Sequence, residues 1–481
     1  MTGITITKRD NKAEVTLDEE TLVAFQAALR GPCVTADDDT YDAAQLIWNK
    51  SADKRPALIV QCSGVADVID AVNFAARHDL LVAVRGGGHN VAGNATCDDG
   101  LVIDLGAMNA VRVDVAARRV RAGGGATIGD VDRETQSFAL AVPLGIVSQT
   151  GIGGLTLCGG HSWLTRKHGF ARDNLVSVDV VTADGRYITA SDAENADLFW
   201  AVRGGGGNFG MVTSFEFEAH PIGPEITFCA PFYAMEDAAT IFRDWRDIVA
   251  DAPDEFTAQI AFWSVPPHEN FPAELHGRPV VITSGVHIGP LAEGERYIQP
   301  LRELGEPLLD LSGPLSYFAV QQAFDPFFTT KGDRFNHWKS LYMDDLDDEA
   351  IDRIVARGLD RPNPWALMPI RLMGGAAARV PADATALGGR DAAYMLSIDT
   401  SWTDAADSER ATAWTRDFWD EMSQSSGTSV YLNFASDGDD SEAVMRASYG
   451  DANYERLVRI KTQYDPTNLF RLNQNIPPQS V

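Results

Sequence analysis

Lysine is scarce in this chain. Of its 40 basic residues only eight are lysine, against 68 acidic residues, and the formal net charge is −28. So little positive charge leaves no basic face for phosphates, which argues against nucleic acid as a partner. Self-repulsion at this charge costs stability in dilute buffer, whereas dense salt screens it, the Debye length falling to about 3 Å at 1 M. The composition therefore points to a salt-adapted, halophilic protein. Cysteine is also rare: the five (Cys33, Cys62, Cys97, Cys158, Cys229) are odd in number and show no CxxC spacing. Neither a disulfide framework nor a zinc site is indicated, no metal is expected, and a reducing compartment fits. Long apolar runs are missing too. None approaches the roughly 20 residues of a spanning helix, and the opening MTGITITKRDNKAEV lacks the apolar stretch of a signal peptide. The expectation is a soluble, cytoplasmic protein with no membrane partner, its oligomeric state unreadable.

At 481 residues and 45% hydrophobic content, the chain can bury large cores, and its length suggests two to four domains at about 150 residues each. Glycine is unevenly spread, with 23 of 42 in residues 81–210. The Pro/Gly-rich segment 220–225 reads as a linker. The expected organisation is a first unit over 1–222, a second over 223–430, and a C-terminal segment, 431–481, returning to the first. In the first unit, strands are expected at 57–62, 81–84, 101–105, 119–122, 177–183 and 211–217. A helix starts after Ser63, a candidate N-cap, with Val65, Val68, Ile69, Val72, Ala75 and Ala76 at helical spacing. The second unit alternates strands (226–234, 256–264, 279–287, 366–373, 392–400, 428–434) with helices near 236–250, 347–358 and 406–423, and a last helix covers 451–463. The fold class is α+β, with a largely antiparallel sheet flanked by helices.

Gly205-Gly206-Gly207-Asn208-Phe209-Gly210 matches G-x-G-x-x-G, but a dinucleotide loop of that kind leaves a strand and opens a helix. Here a helix-like stretch (197–202) precedes and an alternating strand follows, which weakens the alternative of a nicotinamide-dependent dehydrogenase. Four glycine runs (86–88, 123–125, 151–160, 204–207) can instead bring backbone N–H groups together around a long, doubly charged ligand, glycine having no Cβ to obstruct them. Tight turns without a ligand are the plain alternative.

The segments VAVRGGGHNVAGNATCDDGLVIDL (82–105), TGIGGLTLCGGHSWLTRKHGFARDNLVSVDVVTADG (150–185), LFWAVRGGGGNFGMVTSFEF (198–217) and YGDANYERLVRIKTQYDPTNLFRLNQNIPP (449–478) resemble the berberine bridge enzyme family, and its bacterial 6-hydroxy-D-nicotine-oxidase-like branch in particular. The resemblance spans nearly the whole chain. It implies the vanillyl-alcohol-oxidase-type (PCMH-type) fold: a two-part FAD-binding domain and a substrate domain whose antiparallel sheet lies over the flavin ring. It further implies covalent FAD on His89, since an imidazole is a competent nucleophile near neutral pH. Carried over by motif, the cofactor-binding residues are Arg85, Gly86, Gly87, Gly88, His89, Asn90, Gly93, Ser148, Thr150, Gly151, Gly153, Gly154, Gly159, Asp173, Asn174, Gly210, Val212, Asn473 and Asn475. A second link through cysteine, known in some members, would fall at Val147, so a single link is expected. Cys158, His161 and Ser162 depart from the family's glycine pattern and would crowd the flavin.

The implied activity is oxidation of a small alcohol, sugar or amine by hydride transfer to flavin N5, with molecular oxygen or another acceptor completing the cycle. Tyr431 and Asn433, in the family's Y-x-N pattern, would share one face of a strand. A tyrosine with pKa about 10 needs a lowered value to act as base. Asp399 is the other candidate base, on a strand whose Ser397 marks the family's usual polar position, and Leu175 would lie near the flavin. A flavin-bearing protein that binds metabolites without turnover is the competing reading.

Overall fold

The computed structural model describes residues 3–328, 330–436, 438–439 and 441–479. Among them, Leu58–Gln61, Leu101–Asp104 and Val82–Arg85 form parallel neighbours in a four-stranded sheet. Their Val/Ile/Leu-rich runs are buried on both faces, as parallel strands require. Helix Val65–His78 covers this sheet with Val68, Ala71, Val72 and Ala75, spaced i, i+3, i+4, i+7. Ala76, expected on that face, is exposed. Ser63 is not the cap either: Gly64 holds the N-cap position. The buried Asp67 carboxylate accepts from the backbone N–H groups of Ser63, Arg30 and Gly31 at 2.8–3.1 Å.

A second sheet is antiparallel, in the order Tyr187–Ser191, Leu175–Val181, Met211–Glu218, Arg119–Gly123, Val111–Asp114. Its core takes in Val430, Leu432, Tyr454, Leu457, Ile460 and Ile476 from the end of the chain. At the close of helix Asp451–Tyr464, Lys461 and Asp465 are fully buried and 2.7 Å apart. The lysine also donates to the carbonyls of Asn208 and Phe470, and Asp465 accepts from the N–H groups of Leu469 and Phe470. Every strong donor and acceptor of this pair is engaged, which is what makes burial of two charges tolerable.

The third sheet has nine strands, all antiparallel. Its centre runs Pro279–His287, Phe256–Ser264, Met368–Leu372, Tyr394–Trp402, Phe335–Met343. Period-two alternation divides each strand. Phe256, Ala258, Ile260 and Phe262 pack with Ile370, Leu396 and Leu341 against helices Ala238–Val249, Asp348–Leu359 and Ser408–Ser426. The intervening residues turn to the opposite face, toward the other two sheets.

Three expectations need correction. The stretch 226–234 is two strands, Glu225–Cys229 and Pro231–Ala234. Strand Phe335–Met343 was not anticipated. The segment 428–434 is not a strand: Tyr431 is extended and Leu432–Phe434 forms one 3-10 turn. That segment is instead tied along strand Phe335–Met343. Ser340 Oγ bonds both the N–H and the carbonyl of Tyr431, Trp338 N–H donates to Ser436 Oγ at 2.9 Å, and Lys339 pairs with Asp439.

Candidate active site

A cavity of about 380 Å³ lies between the nine-stranded sheet and the two smaller sheets. All four glycine runs contribute to its wall, through Gly86–88, Gly124, Gly151 with Gly153 and Gly154, and Gly207. The close approach at Gly87 shows why: a Cβ there would stand 2.3 Å from Gly151 N, and one on Gly151 would stand 2.3 Å from Gly87 N. Two backbones meet that no larger residue would let meet. The 205–210 loop follows helix Ala196–Val202, makes one 3-10 turn and enters strand Met211–Glu218. It opens no helix, so it lacks the strand–loop–helix geometry of a nicotinamide site.

His89 ends the first glycine run and lines the cavity. Its ring stacks on Trp48, centroids 4.7 Å apart, and Nε2 is buried without a hydrogen-bond partner among the described residues. Burial, aided by the charge of Lys331, pushes its pKa down to about 3. The imidazole is therefore uncharged at neutral pH, with a lone pair available on a ring nitrogen.

Of the other residues expected to bind a cofactor, Gly86, Gly87, Gly88, Asn90, Thr150, Gly151, Gly153, Gly154, Gly210, Val212 and Asn473 line the cavity. Seven do not. Arg85 lies behind the first glycine run, donating to the carbonyls of Ala44 and Ala95 beside Asp104. Gly93 packs on Ala52. The N–H of Ser148 donates to Asp325 at 2.8 Å. Gly159 has φ +158°, and a Cβ on it would lie 2.8 Å from the Tyr431 ring and 3.0 Å from Asn433 Oδ1, so its role is to admit those two side chains. Asp173 is held by Arg390 at 2.6 and 3.0 Å. Asn174 braces a loop by donating to the carbonyls of His168 and Phe170 and bonding His220. Asn475 lies outside the wall, its Oδ1 buried with no partner among the described residues. Leu175, expected near the flavin, sits in the second sheet's core.

Tyr431, Asn433 and Asp399 converge on the cavity. Tyr431, at the head of a tight turn, and Asn433, within it, reach the cavity from that turn and not from one face of a strand. The tyrosine oxygen accepts from the N–H groups of Gly160 (3.0 Å) and His161 (2.8 Å). Burial nevertheless pushes its pKa up to about 12, outweighing those bonds and the charges of Arg172 and Arg371. The lowered value needed for a base is absent, and the hydroxyl acts as a strap on the glycine turn. Asn433 Nδ2 donates to the Leu155 carbonyl, while Oδ1 is buried and unpartnered among the described residues. Asp399 is buried, accepts from Ser397 Oγ, and has its carboxyl raised to about 6 by desolvation, partly offset by Arg371 and Ser397. That places it near the range where a carboxylate exchanges protons at neutral pH.

Of the residues that depart from the glycine pattern, Cys158 and His161 line the cavity, but Ser162 does not. It forms a turn with Thr165 and accepts from Leu164 N–H. Sequence reasoning missed Arg371, Gln259 and Ser284 in the wall, and Arg172 behind Tyr431. Arg172 is fully buried and lies over the Phe170 ring at 4.6 Å; its guanidinium has no hydrogen-bond partner among the described residues, its nearest carboxylate being Asp173 at 3.9 Å. A polar residue at alternate positions in an apolar strand was the available signal for Arg371, in MPIRL, and for Gln259, in FTAQIAFWS.

The donor set fits FAD. Backbone from four glycine runs borders one cavity, while His89, Asn433 and Asn473 bring to it buried polar atoms with no partner among the described residues. Among the described residues no cluster of His, Cys, Asp or Glu could hold a metal ion, and no helix is long and apolar enough to cross a membrane.

Comparison with known proteins agrees. Residues 56–191 match the model of an FAD binding domain, and 430–477 match that of berberine and berberine-like proteins. The chain is 32% identical to (R)-6-hydroxynicotine oxidase of Paenarthrobacter nicotinovorans, over 95% of this chain and 99% of that one. It is 31% identical to an uncharacterised FAD-linked oxidoreductase of Bacillus subtilis, covering 94% and 97%. Among solved structures, 6-hydroxy-D-nicotine oxidase of Arthrobacter nicotinovorans superposes with a TM-score of 0.83 at 30% identity, covering 94% of this chain and 98% of that one. A xylooligosaccharide oxidase from Myceliophthora thermophila, at 24% identity, shares the fold with a TM-score of 0.82, covering 95% and 99%. With cavity, glycine cradle and relatives in agreement, the chain belongs to the berberine bridge enzyme-like family of FAD-linked oxidoreductases.

Proposed function

We propose that this protein oxidises a small alcohol or amine, or a sugar alcohol group, with FAD bonded covalently and singly to His89. The observation that carries the covalent bond is the His89 ring itself, uncharged, clamped on Trp48 and presenting an unpartnered Nε2 at the end of a glycine run. Bound FAD supplies the hydride acceptor, and molecular oxygen or another carrier restores it. Asp399 takes the proton from the substrate O–H or N–H, because its raised pKa suits proton exchange near neutrality. Asn433 Oδ1 offers an acceptor within the same cavity. Tyr431 holds the turn at Gly160 and His161 in place, fixing His161 in the cavity wall. Small-molecule oxidation is what the relative from Paenarthrobacter is named for.

Acid precipitation tests the covalent bond. Yellow colour should stay in the protein pellet, and in His89→Ala it should move to the supernatant. If the parent protein releases all its chromophore, the linkage is refuted. Bleaching of the bound flavin by candidate substrates under nitrogen then separates an oxidoreductase from a protein that only binds them.

A further inference from the structure

The part of the cavity roofed by the nine-stranded sheet is ordered in rows. Strand register places Ser284, Gln259 and Arg371 side by side across three strands. Two residues along lies an apolar row, Ile282, Ala261 and Pro369. Two further along come Trp263, Leu367 and Asp399, the last two joined by a bridge. Each row step is about 7 Å of strand. Phenylalanines at 228, 232, 271, 324, 327 and 328 close the sides.

Two features of this lining select a ligand. First, the walls are aromatic and aliphatic, and the amide and hydroxyl of the first row are already engaged with each other, Gln259 Nε2 donating to Ser284 Oγ at 3.1 Å. A carbohydrate would bury several hydroxyls against hydrocarbon, each losing about 1–3 kcal/mol if unpaired. Secondly, Arg371 is 6% exposed, and its Nη1 is buried with no hydrogen-bond partner among the described residues. Its ring contact is with Phe434 at 5.2 Å, and the carboxylate that acts on it, Asp399, lies two rows away. A buried guanidinium left so is costly unless an anion meets it. The Ser284 hydroxyl, accepting from Gln259, keeps its proton to donate beside it.

Building on the proposed oxidation, we infer that the substrate is a small aromatic alcohol or amine carrying a carboxylate. The carboxylate binds Arg371 and Ser284, the ring lies on the Ile282–Ala261–Pro369 row, and the oxidisable carbon points toward Asp399. Carbohydrates are not substrates under this assignment.

The test uses the intact flavoprotein and defined probes: benzoate, phenylacetate and cinnamate, their uncharged amides, and xylobiose. Binding is read by the visible flavin spectrum and by quenching of tryptophan emission, Trp263 and Trp338 both lining the cavity. At least one carboxylate should bind ten-fold or more tighter than its amide, and xylobiose should not saturate. Arg371→Gln should remove that preference by weakening the acid alone, while Arg371→Lys keeps part of it. Equal affinity for acid and amide in the parent overturns the inference, as does failure of all three acids to bind, or tighter binding of xylobiose. It is equally overturned if Arg371→Gln shifts the flavin spectrum but leaves the acid-to-amide ratio intact, for the guanidinium then serves the cofactor. Tryptophan quenching needs no bound flavin, so loss of the covalent link and loss of acid preference are separate results.

Discussion

Replacing Asp399 by asparagine should make the protein more stable at neutral pH while slowing its chemistry. The carboxyl is raised from 3.8 to about 6, chiefly because burial disfavours its charged form, and that value already includes the opposing pull of Arg371 and Ser397. A folded-state pKa above the unfolded one means that the folded state binds the proton more tightly. Below pH 4 both states are protonated and the group is neutral toward stability. Between about 4 and 6 the unfolded chain releases its proton first, and the native state loses ground. Two pH units correspond to about 3 kcal/mol, fully lost above pH 6. An asparagine side chain does not titrate, so the stability of Asp399→Asn relative to the parent should rise by about 3 kcal/mol from pH 4 to pH 7. Urea unfolding of both proteins across that range, followed by tryptophan emission, measures it. In parallel, flavin reduction by substrate in the parent should rise with pH through an apparent pKa near 6, and the variant should lack that limb. A stability difference independent of pH, or an unchanged rate limb, would refute the role given to this carboxylate.

Tyr431→Phe removes the acceptor for two buried N–H groups, so it should cost about 1–3 kcal/mol per group and lower the reduction rate at every pH alike; loss of the alkaline or acid limb in this variant would instead make the tyrosine the base. Lys461→Met strands the fully buried Asp465 carboxylate and should destabilise by about 3–5 kcal/mol; a change under about 1 kcal/mol in denaturant unfolding contradicts the clasp. Adding sodium chloride to molar concentration should raise the melting temperature by several degrees, because salt screens the self-repulsion of a net charge of −28; a flat response removes the case for salt adaptation.

Much of the fold was legible where one physical rule acted alone. Strands Phe256–Ser264 and Pro279–His287 alternate between a helix-covered face and the cavity, and their limits match expectation to the residue. Strand Phe335–Met343 was hidden because Asn336, His337, Lys339 and Ser340 interrupt its apolar residues, and Lys339 and Ser340 are there to hold the 431–439 segment. That segment misled in the opposite sense. Val430, Tyr431, Leu432 and Phe434 are apolar, but they pack in separate clusters and follow no strand period. The glycine run 151–160 reads as a ligand cradle or a tight turn, yet a short helix, Ile152–Cys158, forms there, with Ile152 and Leu157 in the core. In the site, the glycine runs and His89 carry a sequence signature, whereas Arg371 is marked only by one charge within the apolar strand MPIRL, a signal that does not tell a cavity residue from any other buried cation.

The clasp between Lys461 and Asp465 also sets an order of events during synthesis. It grips the carbonyl of Asn208, in the loop whose Gly207 and Gly210 border the cavity, and it fixes Phe470 just ahead of Leu472, Asn473 and Gln474, which line it. A nascent chain whose residues beyond 460 are still inside the ribosome exit tunnel has none of these contacts. Completion of the pocket must therefore wait until residues 461–474 have emerged, and a product that stops short of them, however much of its glycine-rich half has emerged, has an unfinished pocket.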